Sequence, residues 1–160
     1  MNLLYERLDG RDGHTVGQQL LEALYGGPLP EIARTPLGKP YFVDTPLHFS
    51  ISHTEKHVFC VLSDKPVGID AEEIDRQIRL DLAEKLLSPA ELEQFSKADD
   101  PRLALLKFWV LKEAAGKCSG EGMQLWPNHT NFSLDDPCVQ EIDGCFVAII
   151  ENSEASTAPK

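Results

Sequence analysis

The sequence is poor in positive charge and has no long apolar run, and each shortage excludes something. Lys and Arg number 15 against 26 Asp and Glu, a formal net charge of −11. That balance argues against general nucleic-acid binding, which needs a basic footprint. The longest apolar stretches, such as Val58–Leu62 and Phe146–Ile150, fall far short of the roughly 20 residues that cross a bilayer, so no membrane association is expected. Met1–Arg7 reaches an acid at Glu6 without a long apolar segment, so no signal peptide is expected either. Cys60, Cys118, Cys138 and Cys145 form no CxxC pair, and a reduced, cytoplasmic protein is the simplest reading. His53, His57 and Cys60 lack zinc-ligand spacing and sit on one hairpin, which argues against zinc there. Gly120-Glu121-Gly122 has no strand before it and no helix after it, so there is no dinucleotide fingerprint.

What is present suffices for a folded core. Hydrophobic residues make up 42% of 160, enough for one compact domain or two small fused halves. Residues 13–25 place Val16, Leu20, Ala23 and Leu24 on one helical stripe, with Thr15 as candidate N-cap and Gly26-Gly27-Pro28 as the stop. His48–Thr54 and Val58–Leu62 alternate, which predicts an antiparallel pair around a polar turn at 54–57, and a strand follows at 66–72. Residues 80–87 read as a helix, and Ser88-Pro89-Ala90-Glu91 opens another with a capping box. A long helix spans about 101–117, with Leu105, Phe108, Leu111 and Ala115 toward the core and Arg102, Leu106, Trp109, Glu113 and Lys117 facing elsewhere. Short strands with a turn at Asp143-Gly144 occupy 131–151. The mixture is not a strict βαβα alternation, so the fold class is α+β.

The chemistry concentrates in residues 67–117. On an extended strand, residues i and i+2 share a face roughly 6–7 Å apart, so Asp70 and Glu72 point together and Ala71 points away. Glu113 and Lys117 are i, i+4 on the long helix and share one of its faces. Singly, such groups are usually a solvated strand face or a surface ion pair. Together, three acids and an ammonium describe a divalent-metal site that holds a phosphate ester, which points to phosphoryl-type transfer. Lys39, Arg76, Arg79, Lys85, Lys112 and Lys117 are available for a basic rim on the otherwise acidic body.

In order along the chain stand Gly38-Lys39-Pro40, Phe49-Ser50-Ile51-Ser52-His53-Thr54, Gly68-Ile69-Asp70-Ala71-Glu72, Leu87-Ser88-Pro89-Ala90-Glu91, and Phe108–Lys117 with its Trp109, Lys112-Glu113-Ala114 and Lys117. This ordered set resembles the 4′-phosphopantetheinyl transferases, most closely the pseudo-dimeric branch that serves nonribosomal peptide and polyketide synthases. The resemblance implies two α/β halves related by a pseudo-twofold axis, with the active site in the cleft between them. It implies transfer of the phosphopantetheine arm of coenzyme A to a serine of an apo acyl or peptidyl carrier protein, releasing adenosine 3′,5′-bisphosphate. By motif match, Asp70, Glu72 and Glu113 hold Mg²⁺. Lys39, Ser52, His53, Asp70, Lys112 and Lys117 serve the coenzyme, and Glu113, Lys117 and Glu91 are the catalytic candidates. The serine proton can go to Glu113, to Glu91 or to a metal-bound water, and the residues alone do not choose. The halves are expected at 1–66, shortened relative to that branch, and 67–151, with 152–160 a disordered polar tail. A monomer is expected from the internal duplication. The competing expectation is a catalytically degenerate relative that binds coenzyme A or a carrier protein.

Overall fold

The computed structural model describes residues 1–122 and 130–152. The expected polar tail lies beyond these residues except for its first position. Eight strands and four α-helices are described. They are β1 (Asn2–Arg7), α1 (Gly13–Tyr25), β2 (Ile32–Arg34), β3 (Pro40–Phe42), β4 (His48–His53), β5 (His57–Ser63), β6 (Val67–Glu73), α2 (Ala83–Leu86), α3 (Pro89–Lys97), α4 (Pro101–Ser119), β7 (Val139–Ile142) and β8 (Cys145–Glu151). The fold is α+β, as the mixed pattern requires.

Two three-stranded antiparallel sheets, ordered β1-β5-β4 and β6-β8-β7, carry the structure, and β2 with β3 forms a separate small ribbon. Both larger sheets follow one plan. A strand leads to a helix, the helix to a hairpin, and the last strand of the hairpin inserts in the middle of the sheet. α1 covers the first sheet through Val16, Leu20 and Leu21 on Val58, Cys60 and Leu62. α4 covers the second through Val110, Leu111 and Ala114 on Phe146 and Ala148. The other faces of the two sheets meet through Phe59, Val61, Val67, Ile69, Ala71, Val147 and Ile149.

Where β4 and β6 run side by side, serine hydroxyls take the place of a backbone ladder. The Ile69 N–H donates to Ser50 Oγ and the Ala71 N–H to Ser52 Oγ, each at 3.1 Å. These bonds satisfy strand-edge donors that burial would otherwise leave unpaired. On the opposite side β6 lies hard against α4. A Cβ at Gly68 would sit 2.0 Å from the Ala114 carbonyl oxygen, so only glycine lets strand and helix approach this closely.

The helix ends follow the capping rules with one difference. α1 starts at Gly13, and Asp12, not Thr15, is its N-cap, accepting the Thr15 N–H at 2.9 Å. Aspartate is the stronger cap, and Thr15 occupies the third helical position instead. The capping box of α3 is complete, with Ser88 and Glu91 each accepting the other's backbone N–H. The segment expected as one helix over 80–87 is a 3₁₀ turn at Leu80–Leu82 followed by the single turn of α2. α4 runs two residues beyond its expected end, to Ser119, and Gly120 closes it in the left-handed region at φ 80°. Its buried arc is wider than one stripe. Leu106 is as buried as Leu105 and Phe108, because the helix packs on the second sheet along one side and on α2 along another. Ala114 rather than Ala115 is fully buried, since it packs on the second sheet in one cluster with Phe146 and Ala148. No described helix is long and apolar enough to cross a membrane.

Candidate functional site

β6 exposes its even-numbered side chains toward α4, which brings Asp70 and Glu72 opposite Glu113 and Lys117. These four line one small cavity of about 320 Å³ with Ser52, His53, Arg76 and Trp109. Lys117 is fixed rather than free to swing. Its Nζ donates to the Ile69 carbonyl at 3.0 Å, to the Ile51 carbonyl at 3.4 Å and to Asp70 Oδ1 at 3.3 Å. Ser52 Oγ donates to the same Asp70 oxygen at 3.3 Å. The other oxygen, Asp70 Oδ2, is buried and has no protein partner among the described residues.

The carboxyls share one electrostatic tendency. Burial raises Asp70 to about 7, with Glu72 and Glu113 adding like charge and Lys117 opposing. Burial also raises Glu72 and Glu113. Arg76 holds Glu72 at 2.5 Å and lies 5.5 Å from the centre of the Trp109 ring, while the Trp109 side chain hydrogen-bonds Glu72. Trp109 thus orients a site carboxylate as well as packing, from the helix stripe it shares with Glu113 and Lys117.

A second groove of about 280 Å³ shares Ile51, Glu113 and Lys117 with the first and extends past Gly116 to Lys39 and Gly38. Lys39 Nζ donates to the Cys118 carbonyl at 2.7 Å, near the C-terminus of α4, where a cation suits the helix dipole. Burial lowers the Lys39 pKa. His53 is exposed at the end of β4, its ring set against Gly13 at the start of α1.

Two expected site residues lie elsewhere. Lys112 continues the Leu105–Phe108 stripe of α4, a different direction from its neighbour Glu113. Its Nζ meets Glu91 Oε1 at 2.7 Å and Thr130 Oγ1 at 2.5 Å, and the ion pair is almost wholly buried. Glu91 also accepts the N–H groups of Ser88 and Phe132, each at 2.8 Å. Neither residue lines the cavity at Asp70 or the groove at Lys39. Successive helix residues point about 100° apart, so Lys112 turns toward Glu91 of α3 while Glu113 turns toward the cavity.

The family model of the 4′-phosphopantetheinyl transferase superfamily matches residues 66–157, the span that carries Asp70, Glu72, Glu113 and Lys117. The chain belongs to this superfamily. It is similar to the 4′-phosphopantetheinyl transferase gsp of Aneurinibacillus migulanus, 39% identical over 66% of this chain and 44% of that protein. It is also similar to a 4′-phosphopantetheinyl transferase of Bacillus subtilis, 34% identical over 73% of this chain and 56% of the relative. A third, 4′-phosphopantetheinyl transferase psf-1 of Bacillus pumilus, is 31% identical over 69% of this chain and 49% of its own length. The chain thus spans about half the length of the curated relatives it matches.

Proposed function

We propose that this chain transfers the 4′-phosphopantetheine arm of coenzyme A to a serine hydroxyl of an apo acyl or peptidyl carrier protein, releasing adenosine 3′,5′-bisphosphate. The observation that carries the proposal is Asp70 Oδ2, a buried carboxylate oxygen without a protein partner among the described residues, beside two further carboxyls whose ionisation burial disfavours. Such a donor set fits a hard divalent cation, and Asp70, Glu72 and Glu113 are the groups that would hold Mg²⁺. Bound there, Mg²⁺ would neutralise charge on the pyrophosphate oxygens of the coenzyme.

The chain's own residues divide the remaining work. Lys117, anchored by two backbone carbonyls, presents a fixed ammonium to the pyrophosphate and stabilises charge on the leaving phosphate. Lys39 and His53 lie on either side of the Ile51–Ser52 segment and are the candidates for the adenosine phosphates. Glu113, which lines both the cavity at Asp70 and the groove at Lys39, is a candidate acceptor for the serine proton, beside a metal-bound water. Glu91, saturated by Lys112 and two backbone N–H groups, holds α3 to α4 and supports the site from behind. In this reading residues 1–66 and 67–151 are the two related halves. Their shared strand–helix–hairpin plan supports the pseudo-twofold, and the active site lies where β4 meets β6 and α4. The four free thiols fit a reduced, cytoplasmic setting, and the internal pairing of halves fits a monomer.

The deciding experiment is the intact mass of an apo-carrier protein after incubation with this protein, coenzyme A and Mg²⁺. A gain of one phosphopantetheinyl arm, absent with Asp70→Ala, is the expected result. No gain on several carriers, with coenzyme binding retained, would replace transfer by the degenerate binding role.

A further inference from the structure

The apolar face shared by the two sheets ends in a polar cluster for which the proposed transfer has no use. β5, β6 and β8 each send alternate residues onto this face, and His57, Glu73 and Cys145 are its terminal positions. His57 Nδ1 lies 2.9 Å from Glu73 Oε1 and 3.4 Å from Cys145 Sγ, and Sγ lies 3.4 Å from Glu73 Oε2. Three ligand atoms, all within 4.8 Å of one another, thus come from three strands. On its other side the imidazole is held: Nε2 meets Asp143 Oδ2 at 2.8 Å, and Arg7 grips Asp143 in a two-pronged pair.

We propose that His57, Glu73 and Cys145 form a three-ligand site for a Zn²⁺-class ion, separate from the carboxylate site at Asp70, that clasps β5 to β6 and β8.

Geometry, charge and donor type agree. Tetrahedral zinc with bonds of about 2.0–2.3 Å sets its ligand atoms about 3.3–3.6 Å apart, so the cluster need open by only a few tenths of an ångström. Imidazole, carboxylate and thiolate are a borderline-soft set that suits Zn²⁺ or Co²⁺ and not Mg²⁺. A neutral His57 with ionised Glu73 and Cys145 carries two negative charges, which the ion cancels, while Arg7 cancels Asp143. The cluster is therefore neutral with metal bound, as burial demands. Binding expels two protons to solvent, the Cys145 thiol proton and the His57 Nδ1 proton that faces Glu73 in the metal-free cluster, and the freed Nδ1 lone pair takes the ion while Nε2–H donates to Asp143. That carboxylate–histidine relay is the usual outer support of a metal-bound imidazole. An adjoining cavity of about 700 Å³, lined by Arg7, His57, Glu73 and Asp143, provides entry and room for a water as fourth ligand. Without metal the thiol is pushed up to about 12, chiefly by burial, so the unoccupied cluster is a histidine between two carboxylates and a neutral thiol. The residues are 16, 72 and 88 apart in sequence, which is why ligand spacing could not reveal them.

Cobalt titration of chelator-stripped protein in excess Mg²⁺ tests the site. The expected result is a thiolate-to-cobalt charge-transfer band at stoichiometric Co²⁺, bleached by Zn²⁺. It should persist in Asp70→Ala, vanish in Cys145→Ser, and weaken in affinity by about 10–100-fold in Asp143→Asn. Should Cys145→Ser fail to fold, Glu73→Gln at the strand end must weaken cobalt binding instead. No band in the wild type, a band surviving Cys145→Ser, or one lost with Asp70→Ala would overturn the proposal and leave an ion-pair network only.

Discussion

Lys117 Nζ stands 3.3 Å from Asp70 Oδ1 while two backbone carbonyls hold it in place, and the second oxygen of Asp70 is buried without a protein partner among the described residues. The lysine meets one oxygen of the carboxylate and leaves the other without a bond. The pair leaves the site suited to a cation.

The first prediction concerns pH. Burial raises Asp70 to about 7, whereas in the unfolded chain it titrates near its ordinary value of about 4. The native state therefore binds the proton more tightly. The stability Asp70 contributes is fully present below pH 4 and is lost as pH rises through about 7. Thermal melts of metal-free protein should show Asp70→Asn above wild type at pH 7.5, with the gap closing toward pH 4.5. Each kcal/mol recovered appears as about 2–4 °C in a chain of this size. An Asp70→Asn variant that melts below wild type at pH 7.5 would refute the account.

Lys117→Met should lower the transfer rate by about 10²–10³-fold, the range for removing one fixed electrostatic donor. Steady-state kinetics on a carrier protein measure it. Lys117→Arg should not restore the rate, because a guanidinium cannot reproduce the ammonium's three bonds to Ile51, Ile69 and Asp70.

The buried Lys112–Glu91 pair predicts a sharp asymmetry. Losing either partner strands a charge and should cost about 3–5 kcal/mol, whereas Glu91→Leu combined with Lys112→Met should recover much of the loss. Urea unfolding of the two single variants and the double variant gives the coupling directly. If Glu91 supports the site from behind, the refolded double variant keeps measurable transfer. Complete loss in a stable double variant would return Glu91 to the chemistry.

Gly68→Ala should destabilise by at least about 1–3 kcal/mol, the usual cost of forcing atoms into a packed contact. The new methyl meets helix backbone at Ala114 and Cys118, which cannot rotate aside. A denaturation midpoint equal to that of wild type would show that α4 stands off β6 more than the structure indicates.

Local periodicity made much of this protein legible. The β4–β5 hairpin, the capping box at Ser88 and Glu91, the long helix from Pro101 and the turn at Asp143-Gly144 follow from alternation, caps and turn residues, which act within a few positions. Asp70 with Glu72 and Glu113 with Lys117 could be read as pairs for the same reason, since strand and helix periods decide which neighbours share a face.

What sequence alone determined, then, were the elements and the two local pairs, because propensity and periodicity are short-range physics. Only the tertiary structure decided which pairs meet. It turned Asp70 onto Lys117, sent Lys112 to Glu91 instead of to the cavity, and gathered His57, Glu73 and Cys145 from strands far apart in the chain. Those outcomes rest on long-range packing, above all the close approach of α4 to Gly68 and the serine-bridged edge between β4 and β6, and no short window of residues contains either.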